Sequence, residues 1–75
     1  MPYTKVHLDM AMRHVADGER HIVRQKEIIT RLAGWGRSTD LADRLLAVFE
    51  MTLAKHRRRL AEIQAHLRGA ELAST

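Results

Sequence analysis

Histidine is the side chain in this sequence with the widest chemical range, and the chain carries five. His7, His14 and His21 recur at intervals of seven residues, which lines them up along one edge of a helix. Asp17 falls on the same edge, so His14, Asp17 and His21 make a same-face cluster of nitrogen and oxygen donors, a set that suits Zn or Ni. A chain folded back about Gly36-Arg37 sets His66 opposite His7 and His56 opposite Asp17. The pattern stops short of a metal motif. There is no Cys, no Glu-x-x-His pair of the di-iron bundle kind, and no His-Glu-x-x-His. Histidines at the edge of a helical seam serve as half-buried amphipathic spacers, so no metal ligands and no cofactor are assigned. A histidine-based metal or pH sensor stands as an alternative reading of function.

The second candidate is the run Lys55-His56-Arg57-Arg58-Arg59. Basic runs bind phosphate backbones, and Lys55, Arg57, Arg58 and Arg59 are the candidate nucleic-acid contacts. On a helix, five consecutive residues point all round the axis. Arg58 and Arg59 also have Glu62 within reach on the next turn, and no aromatic residue is interleaved to stack on bases. A solvated flank is the favoured reading, with a nucleic-acid-associated regulator as the alternative. Catalysis finds no support. There is no Cys nucleophile and no glycine-rich phosphate loop, and the carboxylates Asp17, Glu19 and Glu50 are spread among basic neighbours. The chain reads as a non-enzyme.

These residues must be positioned by helices. Leu46, Phe49, Leu53, His56, Leu60, Ile63 and Leu67 alternate steps of three and four, the spacing that keeps one seam along a helix. His56 is its one polar member and can specify register, as a single polar core residue does in a coiled coil. The first half of the chain repeats the pattern with Leu8, Val15, Ile22 and Ile29, interleaved with Ala11, Gly18, Gln25 and Leu32. Gly18 in a helix interior costs about 1 kcal/mol relative to Ala, which points to close backbone approach by a neighbour, with a hinge or kink as the lesser alternative. Asp9 with Arg13 and Glu27 with Arg31 sit four apart and should pair weakly.

The spacing predicts a helix over 4–33, a loop over 34–39 and a helix over 40–68, with a frayed tail over 69–75. Thr4 is the first N-cap, without a Glu or Gln placed to complete a capping box. Gly34 is the expected left-handed stop, which puts Trp35 as a lid on the closed end of the hairpin. Thr39 or Asp40 caps the second helix, and Gly69 ends it. The short loop makes the fold class all-α, an antiparallel two-helix hairpin in one domain over 1–75.

Composition sets the outer bounds. The net charge is +4, and the excess sits between Lys55 and Arg68. A hydrophobic share of 45% with three aromatic residues suits a core of aliphatic side chains. The longest apolar run, Leu45 to Phe49, is too short to cross a bilayer, and no apolar stretch of signal-peptide length follows Lys5. The expectation is a cytoplasmic protein with no membrane role.

A chain this short buries little of its surface alone. Leu41, Leu45 and Val48 widen the apolar stripe beyond what one partner helix covers, as Val23 and Ile28 do on the first helix. The expected remedy is a homodimer in which two hairpins form a four-helix bundle, or else a helical protein partner. Its interface is expected to draw on Leu41, Leu45, Val48 and the seam from Leu46 to Leu67, with Ile22 and Ile29 from the first helix.

The run His14-Val15, Gly18-Glu19, His21-Ile22, Gln25, Ile29, followed by Leu45-Leu46, Phe49-Glu50, Leu53 and His56, resembles short uncharacterised bacterial proteins of helical-hairpin type. The resemblance implies a bacterial, cytoplasmic setting and brings no functional residues with it. The sequence therefore reads as a small self-associating helical protein with an interaction or structural role.

Overall fold

The computed structural model describes residues 3–74; Met1, Pro2 and Thr75, the last the outer end of the expected tail, lie outside them. The order is α1 (Lys5–Gly34) then α2 (Asp40–Ser74), packed against each other along their length, with no strand among the described residues.

Thr4 holds an extended backbone ahead of α1, with φ −119° and ψ 173°. Its N–H donates to His7 Nδ1 at 3.0 Å. The imidazole thus fills the acceptor role of Glu or Gln in a capping box, a completion the sequence reading did not expect. At the other end the helix runs through Gly34. Arg37 N–H donates to Leu32 C=O at 2.9 Å and Gly36 N–H to Ala33 C=O at 3.0 Å, the two bonds of a Schellman motif. The left-handed residue is therefore Gly36, with φ 69°, and not Gly34. This shift also overturns the expectation for Trp35. It becomes the C-cap, while Arg37 takes the position that folds back, and the indole is left 69% exposed. Trp35 is no lid.

Thr39 is the N-cap of α2: its carbonyl accepts the Asp43 N–H at 2.8 Å. Its hydroxyl donates to Asp43 Oδ2 at 2.9 Å, and Asp40 N–H donates to Ser38 Oγ at 3.3 Å. Asp40 and Asp43 in the first turn also complement the helix dipole. Gly69 does not end the helix, which continues to Ser74 in place of the expected frayed tail. A glycine stops a helix by turning left-handed, and the sole positive φ among the described residues belongs to Gly36. The Ala70-Glu71-Leu72-Ala73 that follows is good helix-forming sequence.

The heptad seam packs as its spacing requires. Ala11, Leu53 and Ile63 are the buried apolar residues, and the remaining seam positions are half-buried. Gly18 lies against Leu53: a Cβ added to Gly18 would stand 3.1 Å from Leu53 Cδ1. Gln25, the polar intruder of the first seam, is buried and donates Nε2–H to the Ala42 carbonyl of α2 at 2.9 Å. The result is a single-layer rod. Its extents are 61 × 15 × 14 Å and its radius of gyration is 17.3 Å, against about 11 Å for a globular chain of this length.

Candidate interaction edge

A two-helix rod has two long edges where side chains flank the seam, and here they differ. One is charged. Arg57 of α2 reaches Glu19 of α1 at 3.9 Å, an ion pair that crosses between the helices. The other described ion pair joins Arg20 to Asp17 within α1. Asp9, Arg13, Glu27 and Arg31 form none among the described residues. Exposed pairs of this kind gain little over hydration, so the four-residue spacing did not suffice.

The opposite edge carries all five histidines and then turns apolar. At the open end the Tyr3 ring packs edge-on between two imidazoles, 5.8 Å from His7 and 5.5 Å from His66, with the Arg59 guanidinium 5.5 Å from its centroid. Next along the rod, His14 and His56 meet across the seam with ring centroids 5.1 Å apart. His21 then lies 5.7 Å from the Phe49 ring. A shallow groove lined by His14, Asp17, Gly18, His21, Thr52 and His56 joins these contacts, and it reaches Val48.

From Val48 onward the groove is apolar. Ile28 and Leu32 of α1 and Leu41, Leu45 and Val48 of α2 form its walls, with Gln25 and Ala42 also lining it and Ser38 and the exposed Arg44 as its polar members. Leu41 is 79% exposed and Val48 53%. Both lie on the outward side of the stripe, where α1 cannot reach.

The residues expected at an oligomer interface thus fall into two groups. Leu46, Phe49, His56, Leu60 and Leu67, with Ile22 and Ile29, are half-buried in the seam, and Leu53 and Ile63 are fully buried there. They hold the hairpin itself together. Leu41, Leu45 and Val48 stand clear of the seam and present apolar surface outward. Ile28, expected to widen the apolar stripe of α1, joins them at the groove.

The register is close to the expected one. His7 and His66 flank Tyr3, and Asp17 and His56 line one groove, although the ring that His56 meets is that of His14. Among the described residues, no three His, Asp or Glu side chains gather to hold a metal ion. The basic run is dispersed as helical geometry requires. Arg57 turns to Glu19 on one edge and Arg59 to Tyr3 on the other, while Lys55 and Arg58 are exposed between them. Among the described residues, no helix is long and apolar enough to cross a membrane.

No family model matches the chain, and neither a curated protein nor a solved structure is significantly similar to it.

Proposed function

We propose that the protein is a self-associating helical module, in which a second copy of the hairpin packs on the groove formed by Ile28, Leu32, Leu41, Leu45 and Val48 to give a four-helix bundle. One observation carries the reading: a contiguous apolar groove at the closed end that the chain's own helices leave uncovered. Its role is then structural or interactive, with a bacterial, cytoplasmic setting as its proposed context.

Area supports a second copy as the occupant. The chain exposes 6105 Å², whereas a folded monomer of 8.6 kDa exposes about 4,700 Å². A standard interface removes about 800 Å² from each partner, more than half of that excess. The two faces of a two-fold interface are the same patch, so the apolar walls meet their own counterparts, while the exposed Arg44 stays solvated at the rim.

Sedimentation equilibrium on the untagged protein tests this. A dimer mass is expected for the parent. The Leu45→Glu, Val48→Glu double variant should be monomeric with its helical circular dichroism retained, since both side chains lie outside the seam. A monomeric parent at tens of micromolar, or a double variant still dimeric, overturns the proposal.

A further inference from the structure

We propose that His14 and His56 form a cross-helix clamp for a borderline divalent cation of the Zn, Ni or Cu class. The two imidazoles come from different helices and converge on one groove, with ring centroids 5.1 Å apart and ring planes inclined at 38°. Metal–nitrogen bonds of about 2.0–2.1 Å to a tetrahedral ion place two ligating imidazole centroids roughly 5 Å apart. The centroid separation of the pair is therefore one that ligation accommodates, with rotation of the rings about their side-chain bonds to aim a nitrogen of each at the ion. Imidazole is the favoured donor for these metals.

The surroundings fit an open site. Two protein ligands leave coordination positions for water or a further donor. Asp17 lines the same groove beside the two histidines; its carboxylate is paired with the Arg20 guanidinium, an exposed pair that an incoming divalent ion would have to displace. The opposing charge is Arg59, which lines the groove on the open-end side of His14 and His56. Its guanidinium packs on Tyr3, so the groove's nearby positive charge is drawn toward that ring. Because the clamp spans the seam, an ion held there joins α1 to α2. Binding to the folded chain alone raises its stability by mass action. The clamp lies within one chain and does not depend on self-association.

The test is isothermal titration of untagged protein with Zn²⁺ and, separately, Cu²⁺ at neutral pH. It is paired with thermal melts followed by circular dichroism, and with sedimentation in the presence of the ion. Saturable binding at one ion per chain and a raised melting temperature are expected. Both should be lost in His14→Asn and in His56→Asn, and retained in His66→Asn, whose imidazole packs on Tyr3 at the open end. His14 is exposed, so His14→Asn keeps the fold and decides the matter even if His56→Asn unfolds. The clamp is overturned by absence of saturable binding, by binding that survives His14→Asn, by its loss in His66→Asn, or by one ion shared between two chains.

Discussion

Gly18 of α1 faces Leu53 of α2 so closely that a Cβ added to the glycine would stand 3.1 Å from Leu53 Cδ1 and 3.6 Å from its Cβ. The missing side chain is what lets the buried leucine seat against the opposing helix. Two opposed effects govern Gly18→Ala. Helix propensity favours Ala by about 1 kcal/mol, and crowding a packed core costs roughly 1–3 kcal/mol. Leu53 Cδ1 is the end of a flexible side chain and can yield slightly, so Gly18→Ala should fall within about 1 kcal/mol of the parent. Gly18→Val cannot be absorbed in that way and should lose about 2 kcal/mol or more. Urea denaturation at fixed protein concentration reads both.

The two glycines flanking Trp35 should respond in opposite directions. Gly34 is helical and a Cβ there meets nothing within 4 Å, so Gly34→Ala should stabilise by about 0.5–1 kcal/mol. Gly36 has φ 69°, and Gly36→Ala should cost about 1 kcal/mol or somewhat more. If the two substitutions instead exchange signs in thermal denaturation, the helix ends at Gly34 after all.

Gln25 offers a separate check on register. Its amide donates across the seam to the Ala42 carbonyl at 2.9 Å while the side chain is buried. Gln25→Ala removes that bond and leaves a gap, and should cost about 2 kcal/mol. Gln25→Met keeps the volume and leaves no orphaned side-chain donor, so it should cost less than half as much. Equal losses in the two variants would mean that volume is irrelevant at this site.

Leu53 and Leu45 separate the seam from the groove. Leu53→Asp buries an unpaired charge between the helices and should cost about 3–5 kcal/mol, enough to unfold a domain this small. Leu45→Asp places its carboxylate at a position 44% exposed; helical circular dichroism should survive while the dimer mass is lost. Unfolding by both variants would place Leu45 inside the core.

At Gly69, which lies inside α2 with open space around a prospective Cβ, the Gly69→Ala variant should gain about 0.5–1 kcal/mol. Hydrogen exchange of the amides beyond it should slow. Unchanged exchange there would indicate a terminus already frayed from Gly69 onward.

The seam was legible because packing rewards a period, and a period survives in sequence. Leu46, Leu53, Leu60 and Leu67 mark it plainly, and the helix order and hairpin follow from it. The bonding at the turn was not legible. Gly34-Trp35-Gly36 offers two residues able to turn left-handed, and the choice rests on which amide reaches the Leu32 carbonyl. The capping role of His7 was missed for a related reason, since an imidazole is an uncommon substitute for the Glu or Gln of a capping box. For the candidate site, Leu41, Leu45 and Val48 could be read from the width of the apolar stripe. The lining-up of the histidines could also be read, from their spacing of seven and the fold-back. That they share an edge with Leu41, Leu45 and Val48 could not, because it depends on how the two helices are rotated against each other.

The rod shape, 61 × 15 × 14 Å, bears on how the molecule travels through solution. Drag on a slender body follows mainly its length, so a gel-filtration column calibrated with compact proteins will credit a lone hairpin with more mass than it has. Laying a second rod alongside the first doubles the scattering mass and thickens the particle while adding little to its length. Joining two rods end to end would double the length for the same mass. Small-angle scattering therefore distinguishes the two arrangements by the ratio of forward intensity to radius of gyration, where elution volume alone would confuse a solitary chain with a pair.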